Sequence, residues 1–384
     1  MKRLTHQKTI LVVLTGVVLL GMMGTGGGGW YYSGVLQAGA LIVDHTSPEF
    51  DLEVAAIEEG KVVLRTTDET RADGPWTKDG IWGLDTENGY ARVGAILEID
   101  AHQVVRELFA GTGTLELGQA ARLDSFTFTG DPLAALGIPF VEVAYTSSLG
   151  DFPAWFIDGP ATTWVVFVHG KGASREEALR LLPTILGEGY PALVITYRND
   201  EEAPANPSGF YDFGETEWQD LEAAAEYALD NGAKALILVG YSMGGAIAIN
   251  FLYESPLAEH VRGVVMDAPI LSFDAIIDYG ARLRGIPWPL AILGKRAAGL
   301  RFDINWSNRD YLGQTDELTA PILLFHGDAD QRVSIETSDA LAEARPDIVT
   351  YVRVDGATHV RSWNMDPEAY EDAVRTFLQH LEDE

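Results

Sequence analysis

The sequence predicts an α/β architecture: a doubly wound, mostly parallel sheet over residues 139–384, preceded by an N-terminal membrane helix and a small β-rich module. Three observations predict it: apolar runs that end in Gly, Asp or His, amphipathic stretches alternating with those runs, and a change of texture near residue 139. A chain of 384 residues with 47% hydrophobic content has enough apolar material for a sizeable core and more than one domain.

At the N-terminus, Lys2, Arg3 and Lys8 precede the uncharged stretch "TILVVLTGVVLLGMMGTGGGGW" from Thr9 to Trp30. As a helix this would be on the order of 30 Å long, about one hydrocarbon core. Trp30, Tyr31 and Tyr32 follow where an interfacial aromatic belt belongs. Residues 1–32 are thus expected to be a transmembrane signal-anchor, and the positive flank places everything downstream outside the cytoplasm. The rival expectation is secretion after signal cleavage: the strongly apolar part, Ile10 to Met23, is short, and "LQAGA" at 36–40 offers small residues to a peptidase.

Residues 41–138 read as the β-rich module, of unknown role. Segments such as "KVVLRTT", "YARVGAILEID" and "SFTFTG" alternate, with "RADGPWTKDG" and "DTENG" as turns between them. "GTGTLELG" at 111–118 lacks the third glycine of a dinucleotide loop and the Lys-Ser/Thr of a phosphate loop, so it reads as a turn.

Beyond residue 139 the strands are "TWVVFVHG", "PALVITYRND", "KALILVGYS", "RGVVMDAP", "PILLFHGDAD" and "VTYVRVDGATH". Such near-continuous apolar runs suit strands buried on both faces. Helical patterns separate them, from "SREEALRLLPTILGEG" to "DPEAYEDAVRTFLQHLE". Function is then expected at the carboxyl ends of the strands.

Charge and composition exclude some classes. With 27 basic and 57 acidic residues the net charge is −30, so no basic face is available to displace counterions from nucleic acid. With no cysteine there are no disulfides and no thiolate metal sites.

In Gly240-Tyr241-Ser242-Met243-Gly244 a strand must reverse sharply into a helix with Ser242 at the apex. Glycines on either side relieve the crowding, and the turn lifts the hydroxyl out of the sheet. A serine nucleophile needs a base, and the base an orienting acid. "LLFHGDADQRV" supplies Asp328 and Asp330 at one strand end, and "YVRVDGATHVRSW" supplies His359 after the last strand. The order Ser, Asp, His follows.

These residues carry a resemblance. "HGKGAS", "GYSMGG", "HGDADQRV" and "GATH" make the region 139–384 similar to the α/β-hydrolase superfamily of serine hydrolases, in its esterase and serine-aminopeptidase-like branch. The resemblance implies Ser242 as nucleophile, His359 as general base and Asp330, four residues after His326, as the acid, with Asp328 the fallback. Preorganised donors for a developing oxyanion are then expected from the backbone N–H of Met243 and, in the loop opened by His169-Gly170, from that of Lys171. His169 is read as bracing this loop, Arg198 and Asp200 as a structural pair, Asp267-Ala268-Pro269 as a turn, and Trp363 as packing. Residues 270–320 are an apolar and aromatic insertion, read either as a cap over the site or as ordinary packing helices.

The expected chemistry is two-step hydrolysis of a small-molecule ester, with no metal or organic cofactor required. A peptidase with the same triad and a non-catalytic binding protein on the same fold are the alternatives.

Overall fold

The structure, a computed structural model, describes residues 26–46, 49–67, 77–109 and 111–383. Residues 26–36 form helix α1, which widens into a π-turn over Gln37–Leu41. A seven-stranded antiparallel sheet follows, made of β1 (Leu52–Glu58), β2 (Lys61–Thr66), β3 (Trp82–Thr86), β4 (Gly89–Ile99), β5 (Gln103–Leu108), β6 (Thr112–Gly113) and β7 (Ala120–Asp124). Its alternating residues, such as Leu52 and Val54, Val62 and Leu64, close a small core with Trp82 and Leu84. The expected strand "SFTFTG" is instead irregular backbone, with Thr127 at φ 68°.

After the short helix α2 (Pro132–Leu136) comes an eight-stranded sheet in the order β15-β14-β13-β12-β10-β11-β9-β8. It contains β8 (Val141–Ser147), β9 (Gly150–Ile157), β10 (Thr163–Val168), β11 (Ala192–Ile195), β12 (Ala235–Tyr241), β13 (Val261–Asp267), β14 (Ile322–Gly327) and β15 (Val349–Val354). The six strands from β10 to β15 are parallel, as expected, while β8 and β9 form an antiparallel hairpin at the edge. Helices α3 (Leu182–Gly187), α4 (Trp218–Asp230), α5 (Met243–Glu254), α8 (Ile335–Ala344) and α10 (Pro367–Asp383) cover the two faces, giving an apolar core on each. The pattern "SREEALRLLPTILGEG" does not make one helix: a 3₁₀ segment over Arg175–Arg180 precedes α3, and Pro183 lies within the first turn of α3, where its missing N–H is tolerated. Strand order reverses at β10, whose neighbours are β11 and β12, and this switch point opens a crevice at the carboxyl ends.

The insertion 270–320 folds into the helix pair α6 (Phe273–Leu283) and α7 (Trp288–Phe302), followed by 3₁₀ turns. Helix α1 lies on α7. A β-carbon on Gly29 would be 3.1 Å from the Leu293 carbonyl, and Arg301 sits 3.7 Å over the Trp30 ring while donating to Trp30 O. This corrects the expectation of an N-terminal membrane anchor and of a catalytic part held outside the cytoplasm by it. Among the described residues no helix is long and apolar enough to cross a membrane. The aromatic residues expected at a lipid interface instead belong to a helix folded on the protein, with Tyr32 packed on Gly294. The apolar run Ile10 to Met23 lies outside the described residues.

One buried residue joins the two sheets. Asn364, in the short helix α9 (Ser362–Met365), donates from Nδ2 to Ile81 O (2.7 Å), Ser125 O (3.0 Å) and Thr127 Oγ1 (3.1 Å). Its Oδ1 accepts from Arg180 Nη1 at 2.9 Å, and its backbone O from Ile81 N–H at 2.8 Å. Truncation strands several buried groups at once. Asn364→Ala should therefore lose about 2–4 kcal/mol in denaturant unfolding, whereas a loss below about 0.5 kcal/mol would show that the junction is energetically neutral.

Candidate active site

Ser242 occupies the turn from β12 into α5 with φ 50° and ψ −110°. That conformation is strained for a residue with a side chain. It is held by three backbone bonds: Ser242 N–H donates to Asp267 O (3.0 Å), and Ser242 O accepts from Gly245 N–H (3.1 Å) and Ile270 N–H (3.0 Å). Two glycines make the turn sterically feasible. A β-carbon on Gly244 would overlap the Val168 carbonyl, and one on Gly240 would lie 2.7 Å from Gly244 O.

His359, in the loop after β15, stands between Ser242 and Asp330. Its Nε2 is 2.9 Å from Ser242 Oγ and its Nδ1 is 2.7 Å from Asp330 Oδ2. A carboxylate can only accept, so Nδ1 carries the proton and the Nε2 lone pair faces the serine hydroxyl. Asp330 Oδ1 accepts from the N–H groups of Arg332 (2.7 Å) and Val333 (3.0 Å), and His326 Nε2 lies 3.3 Å from Oδ2. Burial by itself would raise this carboxyl, but the hydrogen bonds from His326 and His359, the His359 charge and the Val333 amide outweigh it and hold it well below the usual range. Burial lowers the His359 imidazole against the opposing pull of Asp330, and the charges of Arg332 and Arg361 add to the lowering. Asp328 is directed elsewhere: its Oδ1 accepts Gly356 N–H at 2.8 Å, so the structure pairs Asp330 with the imidazole.

The loop after β10 is fixed by groups whose role the sequence did not signal. Gly170 N–H donates to the buried carboxylate of Glu177 at 2.8 Å, and the Tyr197 hydroxyl donates to Gly170 O at 3.0 Å. His169 is the expected brace, its Nδ1 2.9 Å from Gly170 O, its Nε2 2.8 Å from Asp200 Oδ2, and its ring stacked on Tyr197. Arg198 thus pairs not with Asp200 but with Asp220 on α4, through 2.7 and 2.9 Å bonds. A β-carbon on Gly170 would be 3.2 Å from Ser242 Cβ, so the loop carrying Lys171 lies directly against the serine. Met243 opens α5, and its N–H has no intrahelical acceptor. Asp267 accepts Ser362 Oγ–H at 2.8 Å, and Trp363 packs near Phe128 as expected.

Ser242, His359 and Lys171 line a cavity of about 540 Å³. Its walls include Ile277 and Ile286 from the α6–α7 region, so the insertion contributes to the cavity wall. They also include Leu36 and Ala40, so the small residues considered for a cleavage site border the serine's cavity. Among the described residues no group of three or more His, Asp or Glu side chains comes together as a metal site.

The family model described as the alpha/beta hydrolase family matches residues 165–373, and a domain of unknown function, DUF8805, matches residues 53–124. No curated protein matches the chain. Among solved structures, the Pyrococcus furiosus esterase Pf2001 in space group C2221 is 25% identical, with a TM-score of 0.53 over 66% of this chain and 94% of that one. The same esterase in space group P212121 gives 24% identity and a TM-score of 0.54 over the same shares. With a family match over more than half its length and this sheet topology, the chain belongs to the alpha/beta hydrolase family.

Proposed function

We propose that this protein is a serine hydrolase that cleaves carboxylic ester bonds through an acyl-enzyme intermediate. The observation that carries the reading is the continuous hydrogen-bond chain Ser242–His359–Asp330, opening on a cavity of about 540 Å³. Similarity to a protein named an esterase supports the ester class.

In the first step His359 Nε2 takes the Ser242 proton as Oγ attacks the substrate carbonyl. The tetrahedral oxyanion accepts hydrogen bonds from the backbone N–H groups of Met243 and Lys171, donors already fixed by the helix start and by the loop braced on Glu177 and Tyr197. His359 then protonates the leaving alcohol, and the acyl group remains on Ser242. Water, deprotonated by the same histidine, attacks the acyl carbon; the acid leaves and Oγ regains its proton. Asp330 keeps Nδ1 protonated and stabilises the imidazolium formed in each half-reaction.

Ser242→Ala and His359→Ala should abolish hydrolysis of a p-nitrophenyl ester. Asp330→Asn should lower kcat on the order of 10³–10⁴-fold, because an amide can present its N–H to Nδ1 and reverse the tautomer. Asp328→Asn should change it only a few-fold, and a larger loss at Asp328 than at Asp330 would reverse the assignment of the acid.

The pH profile gives a second test. The base must be neutral, so kcat/KM falls as pH drops through the His359 pKa. Because burial lowers that pKa below the ordinary value of 6.5, the acid limb should have its midpoint under pH 6.5. A midpoint above 6.5 would contradict the site described here.

A further inference from the structure

The cavity in front of Ser242 has a charge opposite to that of the molecule. The chain carries 57 acidic against 27 basic residues, yet among the described residues the cavity lining includes Lys171, Arg284, Lys295 and Arg332 and no Asp or Glu. Two of these cations have other engagements. Lys295 Nζ lies 2.8 Å from both Asp274 and Asp278, and Arg284 donates to Gly280 O at the exposed rim. Lys171 and Arg332 differ, because neither side chain has an ion-pair or hydrogen-bond partner among the described residues.

The Lys171 ammonium rests 5.3 Å over the Tyr211 ring. Burial and the Arg332 charge both lower its pKa; the carboxylate pulling the other way, Asp44, is hydrogen-bonded to Thr46. The Arg332 charge is felt at His359 as well. Two like charges in a part-buried cavity repel, and an anion held by both reduces that cost. The cavity wall beyond them is largely apolar, from Leu36 through Ile277 to Ile286.

Building on the ester hydrolysis proposed above, we infer that the substrate is an ester bearing an anionic group, carboxylate or phosphate, which Lys171 and Arg332 hold beside Ser242 while an apolar chain lies against α1, α6 and α7. The same lining offers no carboxylate to an ammonium group, which sets this cavity apart from a site for the free amine of a peptide.

The test uses the full chain and a matched ester set. Phenyl hexanoate is compared with its 3-carboxyphenyl, 3-phosphophenyl and 3-trimethylammoniophenyl analogues and with the monophenyl ester of hexanedioic acid, each rate divided by that ester's alkaline hydrolysis rate. At least one anionic ester should exceed phenyl hexanoate in kcat/KM by about tenfold or more, the scale of one charge-assisted hydrogen bond. Which one does so separates carboxylate from phosphate and the acyl side from the alcohol side. Arg332→Gln should bring the ratio toward one, and Arg332→Glu should shift the preference to the trimethylammonio ester. Added salt should shrink the wild-type ratio. Hydrolysis of phenyl hexanoate with no anionic preference, or a preference untouched by Arg332→Gln, overturns the inference and leaves the ester reading standing. Failure of the folded protein to hydrolyse any ester in the set removes both.

Discussion

The close approach of α5 to the end of β10 is the constraint on which the site depends. A side chain at 244 would collide with the Val168 carbonyl, so only glycine lets the helix begin there, and the chain can reach it only through the strained backbone of Ser242. That turn presents Oγ to the ends of the neighbouring strands. The loop after β15 brings His359 to 2.9 Å from it, the turn after β14 brings Asp330 behind the histidine, and the loop after β10 packs Gly170 against its β-carbon. Asp267 at the end of β13 holds the turn from below through its backbone carbonyl, and its side chain ties down Ser362, three residues beyond His359.

Much of this was legible in the sequence because it is written in local pattern. The six parallel strands announce themselves as apolar runs, and the spacing of Gly240, Ser242 and Gly244 encodes a turn whose geometry needs those sizes. The order of Ser242, Asp330 and His359 along the chain follows from the order of the strands that end in them. What was not legible depends on partners distant in sequence. Arg198 pairs with Asp220 at the start of α4 rather than with nearby Asp200. The β8–β9 hairpin, at the sheet edge with partly exposed residues, lacks the continuous apolar signal of a central strand. "SFTFTG" alternates like a strand, but its Ser125 and Thr127 bond Asn364 rather than a neighbouring strand.

From residue 26 on, the N-terminal segment packs on the protein. Glycine and aromatic residues at 26–32 read as the end of a membrane span, yet the same small residues allow α1 to lie close on α7, and its continuation borders the cavity at Leu36 and Ala40. Surfaces contributed by α1, α6 and α7 thus meet over a serine held by the sheet. Within a strongly acidic protein, the described lining of this cavity has no Asp or Glu and carries Lys171 and Arg332.

The central claim is that Ser242 is an activated nucleophile. The direct measurement is labelling of the full chain with a fluorophosphonate, followed by peptide mapping, beside Ser242→Ala. Attachment of one phosphonyl group to the peptide containing Ser242, absent from the alanine variant, is the predicted result. Attachment to a different residue, or labelling of the alanine variant to the same extent, would contradict the account.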